Sequence, residues 1–223
     1  MTRRPAWLPI ASLLLLACGC GLDDYESKMV EAQKRLARHE EEERLLGPPI
    51  VIPTRDDGKG EKEPIAAGLH LRLPAGVKTE SSGTKDPGRG SAKLYTFPAT
   101  SGSFKLVDLG VAGEQKEFLS DVLGLYGRSS EPKRTRRELR PPGREAMTFA
   151  TTEFEDEDLF YSVNLYKAEK QQVVIVYCLQ KSQKAAAARA IELSLESLAL
   201  GPQGERLRAA RGSPLKVPQR PRK

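Results

Sequence analysis

Histidine and cysteine are scarce in this sequence, with two of the first and three of the second in 223 residues. They never fall in a metal-type spacing, so no zinc or comparable site is legible. His39 lies in a charged segment and His70 on the polar side of an alternating run. No serine stands in a Gly-x-Ser-x-Gly elbow, and Cys178 has no histidine near it in sequence. A nucleophile with a base is therefore missing, and neither a catalytic residue nor a cofactor is expected. Glycine is absent from "FEDEDLF" (154–160), where Glu155, Asp156, Glu157 and Asp158 follow one another. A calcium loop needs alternating oxygens around a tight glycine turn, so this stretch reads as a solvated hairpin turn. Beyond the first 17 residues no apolar run reaches the roughly 20 residues that cross a bilayer. "VVIVYCL" (173–179) is short and reads as a buried strand.

The leading segment is different. Arg3 and Arg4 precede an apolar run over 6–17, interrupted by Pro9 and Ser12. A positive start, a dozen apolar residues and a small residue at the end make the layout of a secretory signal. Leu15, Leu16, Ala17 and Cys18 then resemble the lipobox of bacterial lipoproteins. The resemblance implies that a signal peptide, 1–17, is cut before Cys18, whose thiol carries a lipid anchor. Cys20 offers a second, poorer frame, and an uncleaved apolar anchor is the alternative. Pro5 and Ala6 behind the arginine pair speak against a twin-arginine signal. Two or more acyl chains hold a protein on a membrane stably, at about 0.8 kcal/mol per buried methylene.

The formal charge of +6 is a property of the ends. From residue 201 onward Arg206, Arg208, Arg211, Lys216, Arg220, Arg222 and Lys223 stand against Glu205 alone. Without that tail and the leader, the body carries slightly more acid than base. Nucleic-acid binding needs charge together with a reading surface and is not expected.

Residues 23–46 are polar, free of Gly and Pro, and rich in helix formers. Tyr25, Met29, Ala32, Leu36, His39, Glu43 and Leu46 follow a 4-3 spacing that shares one seam. His39 and Glu43 spoil the seam, which leaves a charged stalk with at most a weak coiled coil. Gly47, Pro48 and Pro49 stop the helix. Residues 47–68 read as a linker, with "PPIVIP" able to lie extended along the domain that follows.

Strands are expected at "LHLRLP" (69–74), half-buried, with His70 and Arg72 facing water, at "KLYTF" (93–97) and at "FKLVDLGV" (104–111). Residues 80–92 read as a long turn region. A helix over 114–126 carries the stripe Phe118, Val122 and Leu125, flanked by Leu119. Three strands follow, 146–154, 159–167 and 172–179, the second with a wetter face of Ser162, Asn164 and Tyr166. Short turns between them permit only antiparallel neighbours. A last helix over 182–200 has Ser182 as N-cap and Ala188, Ile191, Leu195 and Leu198 on one face. Strands covered by a helix make an α+β sandwich over 69–200, and 201–223 read as a basic disordered tail.

That order, opened by "LRLPAGV" and closed by "RAIELSLESLAL", resembles the PsbP/DcrB-like α/β sandwich family. The resemblance implies an antiparallel sheet covered by helices and a binding or assembly role, with no catalytic residues to carry over. The charged stalk and basic tail depart from the family's pattern.

The sharpest local feature is the basic loop "EPKRTRRELRPPGR" (131–144), with Lys133, Arg134, Arg136, Arg137, Arg140 and Arg144. Arginine clusters grip phosphate and carboxylate through paired hydrogen bonds. On an exported lipoprotein the reachable anions are lipid headgroups, cell-wall polymers and acidic partner proteins. The expectation is a membrane-anchored, non-enzymatic lipoprotein of the cell envelope that binds or assembles. The rivals are an oligomeric scaffold zipped by the N-terminal helix and an envelope enzyme with a site gathered from distant residues.

Overall fold

The computed structural model describes residues 22–52, 69–87, 93–113, 117–126, 135–140, 147–168 and 171–200. The leader, Cys18 and the tail lie outside the described residues. The chain divides into two compact units at Arg44 and Leu45.

The first unit holds all but the last residue of α1 (Leu22–Leu45), 24 residues of almost uninterrupted helix formers. At 1.5 Å per residue it is about 36 Å long. Ion pairs one turn apart, Arg35 with Glu31 at 2.5 Å and Arg38 with Glu42 at 3.3 Å, brace its surface. Each such pair contributes about 0.3–0.5 kcal/mol. The expected seam is open to water at Tyr25 (61% exposed), Met29 (45%) and Leu36 (58%), while its last expected member, Leu46, falls beyond the helix and is buried.

The second unit begins earlier than expected. "LGPPIVI" is a strand, β1 (Leu46–Ile52), so the front of the expected linker belongs to the fold. It pairs antiparallel with β2 (Leu69–Pro74), from Ile52 opposite Leu69 to Leu46 opposite Pro74. Two prolines are tolerated in β1 because they sit in an irregular stretch between Leu46 and Pro49.

β2 is buried on both sides, not half-buried. Leu69, Leu71 and Leu73 enter the core, and His70 and Arg72, expected to face water, are covered as well. The reason is a second set of partners. Arg72 Nε donates to Gly47 O at 3.0 Å and Nη2 to Leu46 O at 3.4 Å. Ser194 Oγ donates to Arg72 O at 2.6 Å, while Arg72 N donates to Ser197 Oγ at 2.8 Å. His70 and Ala199 exchange backbone bonds at 2.8 and 2.9 Å. A polar strand face can be buried when every donor and acceptor finds a partner.

Seven strands build the main sheet: β3 (Gly83–Lys85), β4 (Lys93–Pro98), β5 (Phe104–Ala112), β6 (Thr135–Leu139), β7 (Phe149–Asp156), β8 (Leu159–Lys167) and β9 (Gln172–Gln180). Their order is β3-β4-β5-β9-β8-β7-β6, antiparallel throughout. The all-apolar β9 lies in the middle, as its composition predicts, with Val173 to Tyr177 fully buried. β3 falls inside the expected turn region. β6 falls inside the expected basic loop and pairs along β7 from Thr135 opposite Glu153 to Leu139 opposite Phe149.

Helices α2 (Phe118–Tyr126) and α3 (Lys184–Glu196) complete the unit. Phe118 sits against Gly110 of β5, where any Cβ would lie 3.2 Å from the ring. A side chain there would crowd that ring and Leu94, which the bare glycine leaves room for. The buried stripe of α2 is Phe118, Val122, Leu123 and Tyr126, whereas Leu125 and Leu119 are only half-buried. The i, i+4 spacing of 118, 122 and 126 follows the helix face better than the expected stripe through Leu125.

In α3 the buried residues are Ala187, Ala190, Ile191, Leu193, Ser194 and Leu195, with Ala188 exposed. Ser182 is not its cap. It belongs to a 3-10 turn (Lys181–Gln183), and the cap position falls to Gln183, whose side chain makes no capping bond.

The sheet therefore carries a core on each face. α3 and the β1–β2 ribbon join Val107, Leu109, Ile175 and Tyr177 on one face. α2 joins Leu94, Phe154, Val163, Val174 and Val176 on the other. The fold is α+β, an antiparallel sheet covered by helices. No helix of the described residues is long and apolar enough to cross a membrane.

Candidate functional site: a cleft beside the last helix

Of the expected basic cluster, Arg136, Arg137 and Arg140 fall among the described residues. Lys133, Arg134 and Arg144 lie outside the described residues. Within β6 successive side chains alternate between faces, which separates Arg136 from Arg137. Arg137 lines a cleft on the α3 side of the sheet, where its Nη2 pairs with Glu153 Oε1 at 2.6 Å. Arg140, beyond the strand end, approaches Glu138 at 3.8 Å with both side chains exposed. Over Thr135–Leu139 the expected loop is thus corrected to an edge strand, with Arg136 and Arg137 on opposite faces.

The cleft holds about 490 Å³ between β6, β7 and β8 on one side and the start of α3 on the other. Leu139, Phe160 and Ile191 supply its apolar lining. Lys181 and Lys184, which carry the chain from β9 into α3, stand at its rim. Lys184 Nζ lies 4.3 Å from the centre of the Phe160 ring, a cation over an aromatic face. Both lysines approach Glu155, at 3.6 and 3.8 Å, with every one of these side chains about half exposed. Pairs so long and so wet contribute little.

Ser162 also lines the cleft, and it closes a buried polar chain. Thr151 Oγ1 donates to Asn164 Oδ1 at 2.8 Å, and Asn164 Nδ2 donates to Ser162 Oγ at 3.1 Å. This chain explains why the "wetter" face of β8 is dry: Ser162 and Asn164 are buried, each satisfied by a neighbour. Ser162 Oγ accepts in that chain, which leaves its own hydrogen to give.

A second polar group lies on the other face of the sheet. The Asp108 carboxylate on β5 is fully buried, and its Oδ2 accepts from Lys85 Nζ at 2.7 Å and from the Tyr126 hydroxyl. Its Oδ1 has no hydrogen-bond partner, nor has Thr96 Oγ1 on the residue opposite. Burial pushes the Tyr126 hydroxyl far above its ordinary range, and the Asp108 charge and hydrogen bond push the same way. Cys178 is a buried free thiol, held up by burial against the lowering hydrogen bond of Tyr161. Tyr161 stacks on Phe154 with ring centres 5.0 Å apart. This is a packed layer.

His70, expected on the polar side of its strand, is instead a buried ladder residue tied to Ala199. Glu157 and Asp158 form the hairpin turn, as expected, with Glu157 in the left-handed region at φ 51°. The described residues contain no group of three His, Cys, Asp or Glu placed to hold a metal ion. Sequence reasoning missed Phe160, Ser162, Lys181, Lys184 and Ile191. The one available signal was "KSQK" after β9, two lysines three residues apart at a helix start.

No protein-family model matches the chain, and no curated protein matches it. Solved structures do superpose on it. A protein from Bacteroides thetaiotaomicron is 11% identical, with a TM-score of 0.40 over 71% of this chain. This chain spans 50% of that protein's length. A Pseudomonas aeruginosa protein of unknown function is 11% identical, with a TM-score of 0.31 over 60% of this chain and 92% of its own. Identities this low bear on the fold alone, and superpositions this loose carry no role across. A cyanobacterial PsbP from Synechocystis, of the family the sequence resembles, also superposes, 8% identical with a TM-score of 0.41 over 71% of this chain and 94% of its own.

Proposed function

We propose that this chain is a lipid-anchored protein of the bacterial cell envelope whose sandwich domain binds a ligand or partner without turning it over. The anchor is Cys18, in the lipobox-like Leu15, Leu16, Ala17, Cys18. The observation that carries the binding role is the cleft beside α3, where an apolar lining, a spare hydroxyl and two loosely held lysines converge. Concave sites of a few hundred cubic ångströms with a few placed polar groups are where small ligands bind.

The full-length chain, made in a bacterial host fed an alkyne-bearing palmitate, tests the anchor. The mature N-terminal peptide should begin at Cys18 and carry the label, and Cys18→Ser should lose both the label and the membrane fraction. A native protein that keeps its initiator methionine, or wild type without label, overturns the reading.

A second reading, an oligomeric scaffold, is favoured by the open seam of Tyr25, Met29 and Leu36 on α1. Light scattering of the full chain with Met29→Glu and Leu36→Glu decides it. A scaffold should fall in mass; an unchanged mass removes the idea.

A further inference from the structure

We infer that the cleft beside α3 binds a small amphiphilic carboxylate, an acid group joined to an apolar or aromatic body. The inference rests on the binding role proposed above but not on the lipid anchor.

The charges of the cleft decide the sign of the ligand. Its two carboxylates are already committed, Glu153 to Arg137 at 2.6 Å and Glu192 to Arg189 at 3.3 Å. Its two lysines are not firmly held: Lys181 and Lys184 share the single carboxyl group of Glu155 at 3.6 and 3.8 Å, beyond hydrogen-bond length. An incoming anion gains two charge-assisted donors without stripping a tight pair, whereas a cation would have to displace Arg137 or Arg189 from the carboxylates that line the cleft.

The lining decides the rest. Phe160 and Ile191 are buried core residues whose accessible parts face the cleft, and half-buried Leu139 extends the apolar surface to the edge strand. A bare inorganic anion leaves that surface in water. An apolar body covers it, at roughly 25 cal/mol per Å² removed from water. Ser162 then supplies direction. Its hydroxyl is fixed from behind by Asn164 and Thr151 and retains one hydrogen for an acceptor in the cleft.

Titration calorimetry of the full-length chain in a non-ionic detergent tests the inference with phenylbutyrate, a water-soluble acid. Phenylbutanol lacks the acid group and butyrate the ring. The expected result is saturable binding of phenylbutyrate, with phenylbutanol and butyrate each weaker by about tenfold or more. Replacing both lysines (Lys181→Gln with Lys184→Gln) should weaken phenylbutyrate by about tenfold and leave phenylbutanol unchanged. Ile191→Trp, which fills the cleft, should abolish both, and Ser162→Ala should weaken the acid by a few-fold.

Equal binding of acid and alcohol, indifference to the lysine pair, or no phenylbutyrate binding up to about 10 mM overturns the inference. Should a lysine or Ile191 variant fail to fold, seen as a lost urea transition, the acid-to-alcohol ratio of the wild type still decides. A labelled Cys18 with no phenylbutyrate binding sinks this inference and leaves the anchor standing. An unlabelled Cys18 with saturable binding does the reverse.

Discussion

Phe118→Ala should cost about 3–5 kcal/mol, a large part of the 5–15 kcal/mol that holds a typical domain together. Phe118 is the first residue of α2 and almost wholly buried. Its ring rests on Gly110, and it joins Leu94, Val122, Phe154 and Val174 in one core. Truncation removes the apolar contact and leaves a hole that the sheet cannot close, because a strand hydrogen-bonded on both sides has little room to move.

Leu125 is the informative comparison. It is only half-buried at the flank of that core, so Leu125→Ala should cost about 1 kcal/mol. Urea unfolding of the two variants, with an unchanged denaturant slope, checks the pair. Equal losses would mean that the helix rests on the stripe read from sequence, rotated away from the one described here.

Alkali should unfold the domain cooperatively, through two tyrosines. Burial holds the hydroxyls of Tyr126 and Tyr177 well above their ordinary value of 10.0. For Tyr126 the Asp108 carboxylate adds to the effect, and for Tyr177 the Ser194 hydrogen bond partly offsets it. A raised value in the folded state means that the folded chain keeps protons the unfolded chain gives up. That contribution is complete below the unfolded value and is lost as pH climbs toward the folded ones.

Each retained proton steepens the loss by about 1.4 kcal/mol per pH unit, so the two together approach about 3 kcal/mol per unit above pH 10. Urea midpoints measured between about pH 8 and about pH 11 should fall accordingly, and tyrosinate absorbance from these two should appear only with unfolding. Tyr126→Phe should halve the slope while lowering neutral-pH stability by about 1–3 kcal/mol, since Asp108 loses a donor. A flat profile, or tyrosinate that forms while the fold persists, contradicts this account.

Much of the scaffold was legible because its patterns are local. β8 and β9 announce themselves, one by alternation and one by an unbroken apolar run, and their observed limits lie within a residue of those expected. β6 was illegible for a physical reason. "TRREL" has no apolar alternation, and an edge strand needs none when its residues face water. β2 misled through His70 and Arg72, since their partners come from elsewhere: Leu46 and Gly47 take the Arg72 side chain, and Ser194, Ser197 and Ala199, more than a hundred residues away in sequence, take the backbone. The cleft shares that difficulty. Arg137, Phe160 and Lys184 meet only after β6 pairs with β7, β7 with β8, and the chain turns from β9 into α3. Its chemistry is written in no single stretch.

The sheet order has a consequence for how the chain is made. Of the described strands β9 is the last to leave the ribosome, yet it belongs between β5 and β8. Until it arrives, β5 and β8 each lack the neighbour that covers one edge. Unpaired borders of this kind invite neighbouring chains. Newborn copies that stop short of residue 172 should clump, and folding should proceed slowly, as it does wherever distant segments must find one another.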